Sequence, residues 1–180
     1  MINFANVASD AQVAPSTVRE HYQLLEDTLI GFFLLPWTNS KRRKAISTAK
    51  FYFFDTGVTH TLAGTKQLER NSDLFGRSFE HFVAMEIRSA LSYRRMRESL
   101  RFWRSTHGHE VDFVVGGRFA VEVKAKARVS ERDARGLKAF QEEQAVRHYY
   151  LVSQDRIERK SEGVEYIYWE TFLTRLWGQA

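Results

Sequence analysis

The chain has 180 residues, 27 of them basic and 22 acidic, giving a formal charge of +5, and it contains no cysteine. That length suits one ordinary domain or two small ones, and the lack of thiols excludes disulfides and thiolate zinc sites and fits a reducing compartment. The mild positive balance permits a polyanionic partner such as nucleic acid without requiring one. No signal-like N-terminus is present, and the longest apolar run, residues 29–37, is broken by Gly31 and Pro36. It falls far short of the roughly 20 residues that cross a bilayer. A cytoplasmic setting with no membrane partner is therefore expected.

In chain order, Ile2, Phe4, Ala5 and Ala8 form a weak helical pattern, and Asp10 to Ala14 suits a turn. Pro15 fits the first turn of a second helix, along which Val18, Tyr22, Leu25 and Leu29 repeat at helical spacing. Phe32 to Leu35 reads as a strand, residues 39–44 (NSKRRK) as a polar basic loop, and Lys50 to Asp55 as an aromatic strand. Helix, turn, helix and hairpin is the outline of a winged helix with Lys41, Arg42, Arg43 and Lys44 at the wing tip. Those four side chains suit phosphate contact or, equally, a solvated loop that blunts a hairpin edge.

A domain boundary is expected near residue 70, dividing the chain into 1–70 and 71–180. Asn71, Ser72 and Asp73 offer N-cap choices for a helix from Leu74 to Tyr93, in which Glu80 and Glu86 intrude on an apolar face. A strand follows at Leu100 to Ser105, with Arg101 and Arg104 among several arginines between residues 94 and 104. Ser130 and Asp133 have the spacing of a capping box for a helix running to about Gln144. His148 to Val152 and Val164 to Trp169 read as strands and Thr171 to Trp177 as a closing helix, so the fold class is mixed α/β.

The stretch from Gly108 to Lys126, GHEVDFVVGGRFAVEVKAK, reads as a β-hairpin whose two-residue link Gly116-Gly117 suits a primed turn. Alternation puts Asp112 on one face of its first strand, and Glu122 and Lys124 on one face of its second, about 6.6 Å apart. Charges of this kind beside a core must satisfy one another or hold a cation. A second E-x-K, Glu158 and Lys160, sits where no strand pattern is visible, so context rather than the bare spacing singles out Glu122 and Lys124. His107 and His109 resemble a zinc pair but lack a third ligand nearby.

Asp112, Glu122 and Lys124, within a helix, three strands, helix and strand, resemble the PD-(D/E)XK restriction-endonuclease-like superfamily. FEHFVAMEI, EVDFVV, VEVKAKARV, GLKAF and YWETFL are similar to the C-terminal domain of unknown function in a prokaryotic family of AAA-type ATPases. VAPSTVREHYQLLEDTLI and KFYFFDTGV resemble the winged-helix linker of that same family. The resemblance implies phosphodiester hydrolysis with Mg²⁺ or Mn²⁺ held by Asp112, Glu122 and the main-chain carbonyl of Val123. Glu80 or Glu86 would add a ligand or orient a water, and Lys124 would face the attacking water or the phosphate. Arg101, Arg104, Lys126 and Arg128 would contact nucleic-acid phosphates. The alternative it implies is a non-catalytic module that docks nucleic acid or protein for an ATPase. The chain begins where that family's ATPase module would be ending and contains no G-x-x-x-x-G-K-[ST], so no ATP site is expected and an ATPase domain or subunit would act in trans.

Overall fold

The computed structural model describes every residue except Arg42, Ile46, Ser47, Asn71, Gln179 and Ala180. Arg42 of the basic loop and Asn71 of the N-cap group thus lie outside the described residues. Helix α1 (Phe4–Ala11) starts where the Asn3 side chain accepts from the N–H groups of Ala5 and Asn6, and α2 (Pro15–Asp27) starts on its proline. Strands β1 (Gly31–Pro36) and β2 (Lys50–Phe53) pair antiparallel. A short helix, α3 (Thr56–Leu62), comes next, then the long α4 (Asp73–Tyr93), capped by Ser72 Oγ accepting from the N–H of Phe75.

Strands β3 (Leu100–Arg104), β4 (Glu110–Val115) and β5 (Phe119–Lys124) form a meander. A 3-10 turn (Glu131–Ala134) with the expected Ser130–Asp133 capping box leads into α5 (Arg135–Gln141). Strands β6 (His148–Ser153), β7 (Arg159–Ser161) and β8 (Val164–Tyr168) precede the closing helix α6 (Trp169–Gly178). All the described strands join one eight-stranded mixed sheet in the order β2-β1-β3-β4-β5-β6-β8-β7. The N-terminal hairpin is continuous with it, because β1 runs parallel to β3 with Leu35 opposite Arg101.

Alternation along β4 and β5 gives the sheet two apolar faces. Phe113, Val115, Val121 and Val123 pack with the α4 stripe of Phe79, Val83 and Ile87, and with Phe172 of α6. Val114 and Ala120 point the other way, into a second core with Leu137 and Phe140 of α5. Each fully buried Leu or Phe stabilises the fold by about 1.5–3 kcal/mol. Among the described residues no helix is long and apolar enough to cross a membrane.

Three local features differ from the sequence reading. The β4–β5 link is one residue longer than Gly116-Gly117: Val115 faces Phe119, Arg118 N donates to Val115 O at 3.0 Å, and only Gly117 has positive φ, +72°. A primed two-residue turn needs positive φ at both central positions or at the first, and Gly116 does not supply it. Strand β7 forms around Lys160 although it is too short to show alternation, and its exposed charge suits a sheet edge. Helix α3 arises from weak helix formers held by tertiary contact: Asp55 caps the N–H of Val58, and His60 Nε2 lies 2.9 Å from Ser78 Oγ of α4.

Gly136 sets the approach of α5 to the sheet, since a Cβ there would lie 1.7 Å from the main-chain oxygen of Glu110. Gly136→Ala is therefore expected to destabilise the protein by about 3 kcal/mol in urea unfolding. Gly76→Ala in α4, where an added Cβ meets nothing within 4 Å, is expected to stabilise it by about 0.5–1 kcal/mol.

Candidate functional site

Beyond the Phe113–Val121 pair the ladder between β4 and β5 gives way, and Asp112 takes its place with a side chain. Its Oδ2 accepts from the N–H of Val123 at 2.8 Å, which pins the carboxylate against the neighbouring strand. Glu122 and Lys124, two apart on β5, form an ion pair with Lys124 Nζ at 2.6 Å from Glu122 Oε1. The second oxygen, Glu122 Oε2, is buried without a hydrogen-bond partner and faces Gly136 of α5, whose added Cβ would stand 3.4 Å away.

A residue that sequence reasoning did not single out stands among these acids. Lys50, on β2, places its ammonium 2.8 Å from Glu110 Oε1, 3.0 Å from Glu80 Oε1 and 3.7 Å from Asp112 Oδ1. Its side chain is only 12% exposed. Tyr52, two residues along the same strand, donates its hydroxyl to Glu80 Oε1 at 2.5 Å. Four carboxyl groups thus surround two ammonium groups, with Arg104 at the margin, 3.5 Å from Glu110 Oε2. The signal was present: Lys50 and Tyr52 interrupt an aromatic strand at the sheet's period of two, as Glu110 and Asp112 do on β4.

The electrostatics follow from burial and crowding. Burial, with the charge of Glu80 beside it, pushes Asp112 up to about 7. Burial and the neighbouring Asp112 push Glu122 well above the usual carboxylate range. Glu80 is buried as well, yet Lys50 and the Tyr52 hydroxyl bring its carboxyl below the ordinary value. Against the cost of burial, the surrounding acids hold the Lys50 ammonium well above its ordinary value.

The other expected site residues divide between this cluster and other parts of the surface. Lys126 follows β5 and pairs with Asp133 at 2.6 Å, and Arg128 is exposed just beyond it. Arg101 turns toward β1, donating to Ser99 Oγ and to the carbonyl of Pro36. The basic loop lies against the end of α5: Glu143 accepts from the N–H groups of Lys41 and Arg43, and the Arg43 guanidinium reaches Glu142 at 2.7 Å. Lys44 is exposed, its carbonyl accepting from Thr106 N. Glu86 points away from the cluster and accepts from the Trp177 indole at 2.8 Å, so Glu80 is the α4 carboxylate that faces the acids.

The donor chemistry fits a hard divalent cation: oxygens alone, two carboxyl groups raised by burial and by neighbouring negative charge, and one buried oxygen with no partner. Asp112 and Glu122 are the residues that would hold it. No group of three or more His, Asp or Glu side chains poised to bind metal occurs among the described residues, so water would complete the shell.

The fold and cluster define a mixed α/β protein with buried carboxyl groups gathered at one end of a central hairpin. The chain belongs to the family of the domain of unknown function DUF4143, which matches residues 75–172, more than half its length. Residues 1–69 match a second domain of unknown function, DUF8612, so Lys50 and Tyr52 enter the cluster from a different matched region than its acids do. Uncharacterized proteins of Mycobacterium bovis and Mycobacterium tuberculosis are each 32% identical over 126 residues, covering 67% of this chain and 27% of their own length. The chain thus spans about a quarter of the length of these relatives. No solved structure matches it.

Two outcomes test the electrostatic account. The folded protein retains a proton on Asp112 that the unfolded chain releases, so ionisation of this group removes stability as pH rises from about 4 toward 7. Asp112→Asn, which keeps an oxygen for the Val123 N–H, is expected to raise Tm by several degrees at pH 8 and by less at pH 5. Lys50→Ala leaves three carboxylates without their shared cation and is expected to cost about 3–5 kcal/mol, with millimolar Mg²⁺ restoring part of the lost Tm.

Proposed function

We propose that the acidic cluster is the centre of a metal-dependent phosphodiester hydrolase of the PD-(D/E)XK kind, preceded by a winged-helix-like segment that serves an AAA-type ATPase. The observation that carries this reading is the partnerless, buried Oε2 of Glu122 beside the raised carboxyl of Asp112. A lone pair left in that position costs stability unless a cation arrives to use it. Asp112 and Glu122, with the main-chain carbonyl of Val123, would hold Mg²⁺ or Mn²⁺. When bound, the ion lowers the pKa of a coordinated water and offsets charge developing on the phosphoryl group.

The remaining roles fall to groups whose positions the fold determines. The Val123 N–H holds Asp112 in one orientation. Lys124, steadied by Glu122 and 30% exposed, reaches toward solvent where a phosphate oxygen or an attacking water would stand. Glu80, held by Lys50 and Tyr52, keeps a negative charge behind the site rather than a free ligand position. Arg104, Lys126 and Arg128 would contact backbone phosphates, which positions a strand without reading its sequence.

A second reading rests on Lys50 itself. Because its ammonium already neutralises parts of Glu80, Glu110 and Asp112, the cluster also suits a non-catalytic module that docks nucleic acid or protein for an ATPase. Labelled single-stranded DNA, double-stranded DNA and RNA incubated with Mg²⁺ or Mn²⁺ separate the two. Cleavage reduced at least 100-fold in both Asp112→Ala and Lys124→Ala supports the hydrolase. Binding without cleavage, unchanged by EDTA and by both substitutions, supports the docking module.

A further inference from the structure

At the turn end of the hairpin, opposite the acidic cluster, lies a cavity of about 490 Å³, within the 300–1,000 Å³ typical of small-ligand sites. Its basic groups come from four separate elements: Arg94 at the end of α4, Arg118 beside the β4–β5 turn, Arg147 ahead of β6 and Arg175 on α6. Arg147 N donates to Arg118 O at 3.0 Å, which sets those two arginines side by side. Leu91, Met96, Phe119, Tyr150 and Phe172 supply an apolar floor. His148 stacks on Tyr150 with ring centroids 6.1 Å apart and planes within 13°, adding a flat aromatic surface to the rim.

The charges around this cavity do not balance. Glu98 pairs with Arg118 at 2.7 Å and Glu165 with Arg175 at 3.0 Å, while Arg94 donates to the carbonyl of Trp177. Among the described residues Arg147 has no carboxylate partner, so the guanidinium groups of Arg118, Arg147 and Arg175 face two carboxylates. A solvated arginine face would be convex and would not converge over an aromatic floor. Guanidinium groups pair in two-pronged fashion with phosphate, and an apolar floor takes the body attached to it.

We propose that this cavity binds an organic phosphate carrying a flat ring, of nucleotide size, with the dianion between Arg118 and Arg147 and the ring over Phe119 and Tyr150. The proposal does not depend on the hydrolase reading, since it uses no carboxylate of the acidic cluster and no metal.

Calorimetric titration of the whole chain with AMP, at low ionic strength and with EDTA present, tests it directly. AMP is expected to bind at least tenfold more tightly than either inorganic phosphate or adenosine. Arg147→Glu and Arg118→Glu are expected to weaken AMP at least tenfold, with Tm unchanged in the first and lowered by no more than a few degrees in the second, since both side chains are exposed and only Arg118 gives up an ion pair, with Glu98. Arg132→Glu, an exposed charge reversal in the 3-10 turn before α5, is expected to change affinity less than twofold. Absence of AMP binding, AMP binding no tighter than that of phosphate or adenosine, or equal loss in all three variants would overturn the proposal. EDTA keeps the outcome separate from any failure to find nuclease activity.

Discussion

The buried ammonium of Lys50 is the constraint on which the acidic end of the molecule depends. Isolated carboxylates could not be brought this close in a low-dielectric setting, since each would face desolvation and the repulsion of its neighbours. Lys50 makes the gathering tolerable by standing within 3.0 Å of Glu80 and Glu110 and 3.7 Å of Asp112. Its position depends on β2, which joins the sheet as the antiparallel partner of β1, itself parallel to β3. The N-terminal hairpin is thereby a structural part of the cluster and more than a neighbour to it.

Charge neutralisation at the cluster is incomplete, and the remainder is concentrated on two groups. Glu80 is drawn down by Lys50 and Tyr52, whereas Asp112 and Glu122 are driven up by burial and by nearby negative charge. A structural ion-pair network would be expected to satisfy each oxygen, yet Glu122 Oε2 is left without a partner in a closely packed corner beside Gly136. Leaving that oxygen unpaired costs stability, which the proposed cation would offset by using it. The central hairpin separates this cluster of carboxyl and ammonium groups from the arginine-lined cavity beyond its turn, so two charged sites share one support.

Much of this was legible because strands and helices repeat with fixed periods. Alternation along GHEVDFVV and RFAVEVK located the hairpin and its charged residues, and Ser130 with Asp133 located the start of the turn that leads into α5. The choice between Glu80 and Glu86 was not legible, because both fall on the same broad helix face. Packing separated them: Trp177 of α6 engages Glu86, while Lys50 and Tyr52 engage Glu80. Strand β7 and helix α3 escaped because one is only three residues long and the other is built from weak helix formers, so neighbours decide both.

The amino-acid order by itself determined which residues alternate, which helices have caps, and that Asp112, Glu122 and Lys124 would stand close together on adjoining strands. Those properties are local, set by the two-residue and 3.6-residue repeats of the backbone. Only tertiary structure decided that Lys50, 62 positions before Asp112, is the cation at the centre of the cluster. It also decided that the four arginines surround one cavity. Sheet order and helix packing bring those groups together across long stretches of chain, and no local period encodes that meeting.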